Sequence, residues 1–122
     1  MIFYNNSCCC QRQHNCFSNG SFYSLFIGLD DKCKGVQIIP TEDALNFVEE
    51  VCKKYFVNGF TILVGTGANR DSETGIENSI YVMAINACEN SVFEVARILR
   101  YEFNITEVLI ERNRTQYLYL NN

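Results

Sequence analysis

The chain has 122 residues, of which 48% are hydrophobic and 20% are charged, and its formal net charge is −4. This length allows one domain with a single core, and the composition is typical of a globular protein rather than a disordered chain. The negative charge argues against a nucleic-acid binder, which needs a broad basic surface, so we predict no DNA or RNA partner. No apolar run approaches the ~20 residues of a membrane helix, so we also predict no membrane insertion.

Residues 1–20 are predicted to be an irregular, cysteine-rich arm that precedes a single domain at residues 21–122. The arm contains five candidate metal ligands, which are Cys8, Cys9, Cys10, His14 and Cys16. Three adjacent cysteines cannot all face one ion without distorting the backbone, and structural zinc sites favour Cys-x-x-Cys spacings. We therefore predict no metal site, with zinc binding as the alternative. Residues 2–4 are apolar and could add a short strand to a sheet.

The chain starts without the basic residues and the long apolar stretch of a secretory signal peptide, so we predict a cytoplasmic location. Cysteines are generally reduced in the cytoplasm, so the seven cysteines are expected to be free thiols. Cys33, Cys52 and Cys88 have no base beside them in sequence and are predicted to be small buried hydrophobic residues.

Residues 21–29 are predicted to be the first strand, and their nearly continuous apolar character predicts burial on both faces. After a polar turn, residues 36–39 are extended and end at a proline. Residues 41–56 are predicted to be the first helix, because apolar residues recur at helical spacing between Thr41, a good N-cap residue, and Gly59.

Two apolar runs, at residues 59–64 and 80–87, are predicted to be central strands joined as a hairpin. The connection between them, at residues 65–75, is polar and rich in glycine. A connection of this length is uncommon in a compact domain unless it binds a ligand or is disordered. We therefore expect the tip of this hairpin to take part in function.

A second helix is predicted to begin at the capping-box sequence Ser91-Val-Phe-Glu94 and to end at Asn104. The last segment, at residues 106–120, is longer than an average strand. A tight turn at Asn113-Arg114 would divide it into a second hairpin, and a single long strand that leaves the domain body is the alternative.

The order strand, helix, strand, strand, helix, strand predicts an α+β fold of the ferredoxin-like βαββαβ type. Both helices then lie on one face of an antiparallel sheet, and extra strands at both termini are possible. The opposite face would carry five apolar residues, which are Phe22, Phe26, Tyr81, Met83 and Ile85. Because monomers rarely expose a large apolar surface, we predict a homodimer or a higher even-numbered oligomer. A monomer whose N-terminal arm covers this face is the alternative.

Residues that could carry catalysis are scarce. His14 is the single histidine and lies in the irregular arm, so no Ser/His/Asp or Cys/His arrangement is predicted. The sequence around Gly65 and Gly67 resembles the opening of a dinucleotide fingerprint, but it lacks the third glycine and joins a strand to a strand. We therefore predict that the protein is not an enzyme and has no cofactor.

Eight residues are candidate contacts to an anionic ligand, and these are Gly65, Gly67, Asn69, Arg70, Arg97, Arg100, Arg112 and Arg114. The first four belong to the glycine-rich connection, whose backbone amides can cradle an anion. Arginines of the last segment can add planar bidentate contacts to phosphate, and the two helical arginines fall off the buried stripe. The alternative is that these arginines pair with acidic neighbours on a solvated surface. The predicted ligand is a phosphate-bearing small molecule held between subunits.

Residues 25–31, 41–44, 58–61 and 77–80 resemble a family of small, uncharacterised bacterial and prophage proteins, and the resemblance covers residues 23–110. The chain's size, its bias toward asparagine and isoleucine and the arginines of its C-terminal half are similar to the phage-encoded Thoeris anti-defence proteins. This second resemblance implies a protein that sequesters signals of the cyclic ADP-ribose type without cleaving them. It also implies pockets at subunit contacts and a location in the host cytoplasm.

The predicted function is therefore the sequestration of a nucleotide-derived anionic signal by a homo-oligomeric, non-enzymatic protein. An acidic protein-interaction module that inhibits a host protein is the first alternative. A small ferredoxin-like enzyme is the second.

Overall fold

The computed structural model describes residues 16–68 and 75–121. These residues form six elements, which are β1 (Ser18–Gly28), α1 (Thr41–Tyr55), β2 (Thr61–Ala68), β3 (Ile76–Ile85), α2 (Glu89–Glu102) and β4 (Leu109–Tyr117). The strands make one antiparallel sheet in the order β2-β3-β1-β4. The predicted α+β fold of the ferredoxin-like type is confirmed by this order of elements.

Helix α1 follows the sequence pattern and ends one residue before its predicted end. Ala44, Val48 and Cys52 recur every four residues and are buried in the core. Acidic residues in the first turn and lysines in the last turn match the helix dipole. The prediction of Thr41 as the N-cap is wrong. Thr41 is the first helical residue, and its Oγ1 accepts a hydrogen bond from Gln37 Nε2 at 2.9 Å.

Helix α2 begins at Glu89, two residues before the predicted capping box. Cys88 is the N-cap residue, so Ser91 lies inside the first turn and the predicted capping box does not form. The buried side chains of the helix are Val92, Val95, Ala96 and Leu99. The helix ends at Glu102, two residues before its predicted end, and Asn104 follows it with a φ of 51°, a left-handed conformation that asparagine tolerates.

The hairpin of β2 and β3 is longer than predicted. Gly65 and Gly67 pair with Ser79 and Glu77, so both glycines belong to β2 rather than to the connection. Strand β3 is central and offers backbone partners over this whole length, which keeps β2 extended as far as Ala68. The connection is therefore shorter than the predicted residues 65–75.

Strand β4 is one strand that pairs with β1 along its whole length. Asn113 and Arg114 pair with Phe22 and Ser21 in the middle of this ladder, so the predicted turn at these two residues is wrong. The alternative of a single long strand is confirmed, but this strand stays paired in the sheet and does not leave the domain body. Strand β1 extends beyond its predicted start to Ser18, which gives the C-terminal half of β4 its pairing partners.

The two faces of the sheet have different surroundings. One face packs against α1 and α2, and its central side chains are the buried residues Tyr23, Leu25, Ile27, Ile80, Val82 and Ala84. The opposite face, which we call the open face, includes Phe26, Tyr81, Leu63 and Leu109, because these residues pair with one another across neighbouring strands. Exposure is 39% for Phe26, 52% for Leu63 and 61% for Leu109. The prediction that β1 is buried on both faces is therefore wrong, because no described element covers the open face.

Neither helix of the described residues has the length and apolar character needed to cross a bilayer.

The loop between β1 and α1 is fastened to the end of α2 by Asp31. Its Oδ1 accepts hydrogen bonds from the backbone amides of Cys33 and Lys34 at 2.8 and 3.0 Å. Its Oδ2 accepts one from Asn104 Nδ2 at 3.0 Å. The hydrogen bond from Asn104 and those from the two amides lower the pKa of Asp31, because they stabilise the charged carboxylate.

We predict that Asp31→Ala lowers the melting temperature at pH 7, because three donors lose their acceptor. Since the folded-state pKa of Asp31 is lowered, its stabilisation is present above the unfolded pKa of ~3.9 and is lost as pH falls through the folded value. The difference between wild type and variant in thermal unfolding should therefore shrink as the pH is lowered below about 4. Glu49→Ala, at an exposed position of α1, is the control. An equal destabilisation by Asp31→Ala at neutral and acidic pH would contradict the prediction.

Candidate functional site

Two cavities lie near opposite ends of β1. The first, which we call the acidic cavity, has a volume of about 530 Å³ and lies where β1 ends and β3 begins. Residues that line it include Phe26, Gly28, Asp30, Glu77, Glu107 and Leu109. Among the described residues its wall contains four carboxylates, which are those of Asp30, Asp31, Glu77 and Glu107, and one lysine, Lys32. This excess of negative charge favours a cationic ligand.

Glu77 is held in the acidic cavity by its fit to the end of β1. Its Oε2 accepts a hydrogen bond from the backbone amide of Asp30 at 2.9 Å. A Cβ atom at Gly28 would lie 2.5 Å from the carboxyl carbon of Glu77. Glycine at position 28 therefore leaves the space in which this carboxylate rests against the strand.

Asp30 presents an acceptor without a donor. Its Oδ2 atom is buried and has no hydrogen-bond partner among the described residues. A buried carboxylate oxygen without a partner is unfavourable, because it has lost water and gained nothing in return. A ligand that donates a hydrogen bond or carries positive charge would remove this deficit.

The acidic cavity continues onto the open face. Phe26 and Leu109 belong to both, and the ring of Phe26 lies 4.5 Å from that of Tyr81, centroid to centroid. Aromatic faces can stack on a nucleobase or attract a cation. The cavity thus joins a cluster of carboxylates to an aromatic wall.

The second cavity, which we call the arginine cavity, has a volume of about 610 Å³ and lies near the start of β1. Its charged residues are Glu89, Arg112 and Arg114, and Tyr23 also lines it. Glu89 Oε1 accepts hydrogen bonds from Arg112 Nη1 at 2.7 Å and from the Tyr23 hydroxyl at 3.1 Å. Burial and the Glu89 carboxylate raise the pKa of Tyr23, while the hydrogen bond to Glu89 raises that of Arg112.

The predicted ligand contacts do not form one group in the described structure. Arg112 and Arg114 share the arginine cavity, whereas Gly67 lines the acidic cavity at the other end of β1. Gly65 lies in β2 with open space beside it. Arg97 forms an exposed ion pair with Glu94 at 3.1 Å, which is the alternative considered for the arginines.

Three further predicted contacts are not found in either cavity of the described structure. Arg100 is exposed on α2 and lines neither cavity. Asn69 and Arg70 lie outside the described residues. A role in ligand binding stays a prediction for all eight residues.

The carboxylates of the acidic cavity were not predicted from sequence. Glu77 lies near the start of β3 and is distant in sequence from both Gly28 and Asp30, so nothing local marks their contact. Glu89 was likewise missed as the partner of Arg112, because the pair joins a helix start to an edge strand. A possible signal is an acidic residue beside an apolar run, which Glu77 and Asp30 both provide.

The cysteines divide into different environments. Cys52 is buried as predicted, and burial raises the pKa of its thiol to about 12. Cys33 and Cys88 are exposed, so their predicted burial is wrong, because one lies in the loop after β1 and the other at the start of α2. The backbone amides of Ser91 and Asn90 lower the pKa of Cys88.

Two other expectations concern the N-terminal cysteines. Cys16 is disulfide-bonded, so the expectation of free thiols throughout is wrong for this residue. The described residues contain no cluster of three or more metal ligands. Cys8, Cys9, Cys10 and His14, which were considered for zinc, lie outside the described residues.

The sequence matches no protein-family model and no curated protein sequence. The fold is similar to that of a phage SAM lyase in complex with S-methyl-5'-thioadenosine, with a TM-score of 0.58 and 17% identity over 82% of this chain and 90% of that chain. A phage SAM lyase in the apo state is also similar, with a TM-score of 0.59 and 19% identity over 81% of this chain and 87% of that chain. A third similar structure is that of CPII, a nitrogen regulatory PII-like protein from Thiomonas intermedia K12, bound to ADP, AMP and bicarbonate. Its TM-score is 0.52, and the identity is 12% over 87% of this chain and 100% of that chain.

At these identities the similarities establish the fold, which this chain has in common with a phage enzyme and with PII-like proteins. The prediction that the protein is not an enzyme is wrong, because the similar structures include a lyase. The lack of a Ser/His/Asp or Cys/His arrangement excludes only enzymes that depend on histidine, and this fold can carry an enzyme of another class. The resemblance to Thoeris anti-defence proteins stays a prediction.

We predict that Gly28→Ala displaces the carboxylate of Glu77, because the new Cβ would occupy its position. The amide of Asp30 then loses its acceptor, so its hydrogen exchange should become faster and the protein should be destabilised by about 1 kcal/mol. Gly65→Ala is the matched control, since a Cβ there meets nothing within 4 Å. Unchanged exchange at Asp30 in Gly28→Ala, or the same change in both variants, would contradict this account.

Proposed function

We propose that the protein binds S-adenosylmethionine (SAM) in the acidic cavity and cleaves it to S-methyl-5'-thioadenosine. The observation that carries the proposal is the Glu77 carboxylate, seated over Gly28 beside the unpartnered Oδ2 of Asp30. SAM has a sulfonium, an ammonium and one carboxylate, so it is a net cation. The acidic cavity matches this charge, and the fold is similar to that of a phage SAM lyase.

In this proposal the carboxylates hold the amino-acid part of SAM. The ammonium donates to Asp30 Oδ2, which removes the deficit of a buried acceptor. Glu77 lies close to the sulfonium and favours it electrostatically. The adenine stacks on the aromatic wall of Phe26 and Tyr81.

The proposed reaction needs no general base. The carboxylate oxygen of SAM attacks the Cγ atom bonded to sulfur, the C–O bond forms, and the C–S bond breaks with its electron pair passing to sulfur. The products are neutral S-methyl-5'-thioadenosine and a five-membered lactone that keeps the ammonium group. Because a positive and a negative charge disappear together, the reaction would be favoured if water were excluded from the site beside Phe26 and Leu109, which are exposed in the single chain.

We further propose that a second copy of the chain covers the open face, as a homodimer or a higher even-numbered oligomer. The support is the exposure of Phe26, Leu63 and Leu109 on one sheet face. The same face continues into the acidic cavity, so a second copy there would exclude water from it.

We predict that Leu63→Glu shifts the protein toward monomer in light scattering after size-exclusion chromatography, because a charge at the centre of an apolar interface is unfavourable. Val57→Glu is the control, since Val57 is exposed beyond the end of α1 and is not on the open face. A monomeric wild type would contradict the oligomer proposal and leave the cavity argument intact.

We predict that the purified full chain forms S-methyl-5'-thioadenosine from SAM faster than a protein-free control, as measured by liquid chromatography and mass spectrometry. Glu77→Gln keeps the shape of the side chain and removes its charge, so it should slow the reaction about tenfold or more. Glu49→Gln, on the exposed face of α1, should react like wild type. Product formation no faster than in the control, together with no heat of SAM binding, would reject the proposal.

A second candidate function is the sequestration of a cyclic ADP-ribose-type signal by a phage-encoded protein. The observation that favours it is the presence of Arg112 and Arg114 in one cavity. Titration calorimetry with cyclic ADP-ribose tests it on the same protein. Binding that is lost in Arg112→Gln would support this candidate, and no binding would reject it.

A further inference from the structure

The arginine cavity has a charge imbalance that the SAM proposal does not use. It contains two guanidinium groups and one carboxylate, Glu89. Arg112 is engaged by Glu89 at 2.7 Å. Arg114 forms no ion pair within the described part of the chain, although it lines the same cavity. One cationic side chain is thus left over for an added anion.

The two arginines are placed to act together. They are two positions apart on β4, so both side chains project from the same face of the strand, with Cα atoms about 7 Å apart. Their cross-strand partners are Tyr23 and Ser21 of β1. Strand β4 lies at an edge of the sheet, which leaves this side of the cavity accessible.

The donors around Glu89 are those that an oxyanion would use. Glu89 Oε1 accepts from Arg112 Nη1 and from the Tyr23 hydroxyl, so one carboxylate oxygen collects two donors from two strands. Phosphate oxygens accept the same kinds of hydrogen bond, and arginine binds them in planar pairs. The carboxylate of Glu89 therefore uses the two donors that an added oxyanion would need.

We propose that the arginine cavity binds the phosphoryl group of a small molecule, which contacts Arg114 and displaces Glu89 from Arg112 and Tyr23. The inference deepens the second candidate function, because it names the chemical group recognised and the carboxylate that competes with it. It does not depend on SAM cleavage, since the acidic cavity lies near the other end of β1.

The competition gives Glu89→Gln a distinctive outcome. If Glu89 only supported the fold, its replacement would weaken phosphate binding or leave it unchanged. If it competes with the ligand, the neutral amide releases Arg112 and removes a like-charge repulsion, so the variant should bind phosphate several-fold more tightly than wild type.

The test is titration of the full chain with inorganic phosphate, AMP and adenosine, followed by calorimetry and by amide chemical shifts around residues 112–115. Phosphate and AMP are expected to shift these amides, and adenosine is not. Arg114→Gln should weaken phosphate binding about tenfold, the size of one charge-assisted contact. Lys53→Gln is the control, since Lys53 is an exposed cation in the last turn of α1 and lines neither cavity.

Three outcomes would overturn the inference. These are no saturable shift with phosphate, equal weakening in Arg114→Gln and Lys53→Gln, or weaker or unchanged binding in Glu89→Gln with its melting temperature unchanged. SAM turnover by Arg114→Gln separates the two proposals. Wild-type turnover with lost phosphate binding supports two independent sites, whereas phosphate binding without turnover in wild type rejects SAM cleavage alone. Phosphate binding without cyclic ADP-ribose binding rejects only the sequestration candidate.

Discussion

Strand β1 lies inside the sheet and pairs with β3 on one side and β4 on the other. The core and the open face of the sheet both depend on the side chains of this strand. A strand directs alternate side chains to opposite faces. Tyr23, Leu25 and Ile27 enter the core beneath the helices, whereas Phe26 points to the face that the described elements leave open. Burial of one apolar set drives the fold, and exposure of the other creates a surface for binding or assembly.

The ends of this same strand carry opposite charge. Near its start, Arg112 and Arg114 exceed Glu89, and near its end Asp30, Asp31, Glu77 and Glu107 exceed Lys32. This polarity matters because charge selects ligands at a distance, before any contact is made. An excess of carboxylates favours a cationic ligand at one end, and an excess of guanidinium groups favours an anionic ligand at the other. The net charge of the whole chain, −4, conceals this separation.

The similarity to both a SAM lyase and a PII-like protein fits a general property of this architecture. The fold supplies a rigid sheet, and chemistry is added by a few side chains at its edges and loops. In this chain the local features are Gly28, which leaves room for the Glu77 carboxylate, and the Glu89 carboxylate, which accepts hydrogen bonds from two donors. These local arrangements, rather than the shared topology, carry the functional proposals.

The sequence by itself determined the type and order of the elements. Helical spacing of Leu45, Val48, Cys52 and Tyr55 defined α1, and apolar runs defined three of the strands, because these signals are local in the chain. Boundaries were less accurate where a partner strand extends an element. Gly65 and Gly67 were assigned to a loop but are held in β2 by β3, and Asn113 was assigned to a turn but is held in β4 by β1.

Only the tertiary structure decided which charged groups meet. Glu77 reaches the amide of Asp30 across 47 positions of sequence, and Glu89 reaches Tyr23 across 66. These contacts depend on the sheet order, which places β1 between β3 and β4 and brings the start of α2 beside the edge strand. Sequence reasoning identified Arg112 and Arg114 from residue chemistry, but it could not find their neighbours, because pairing between distant strands is set by the packing of the whole sheet.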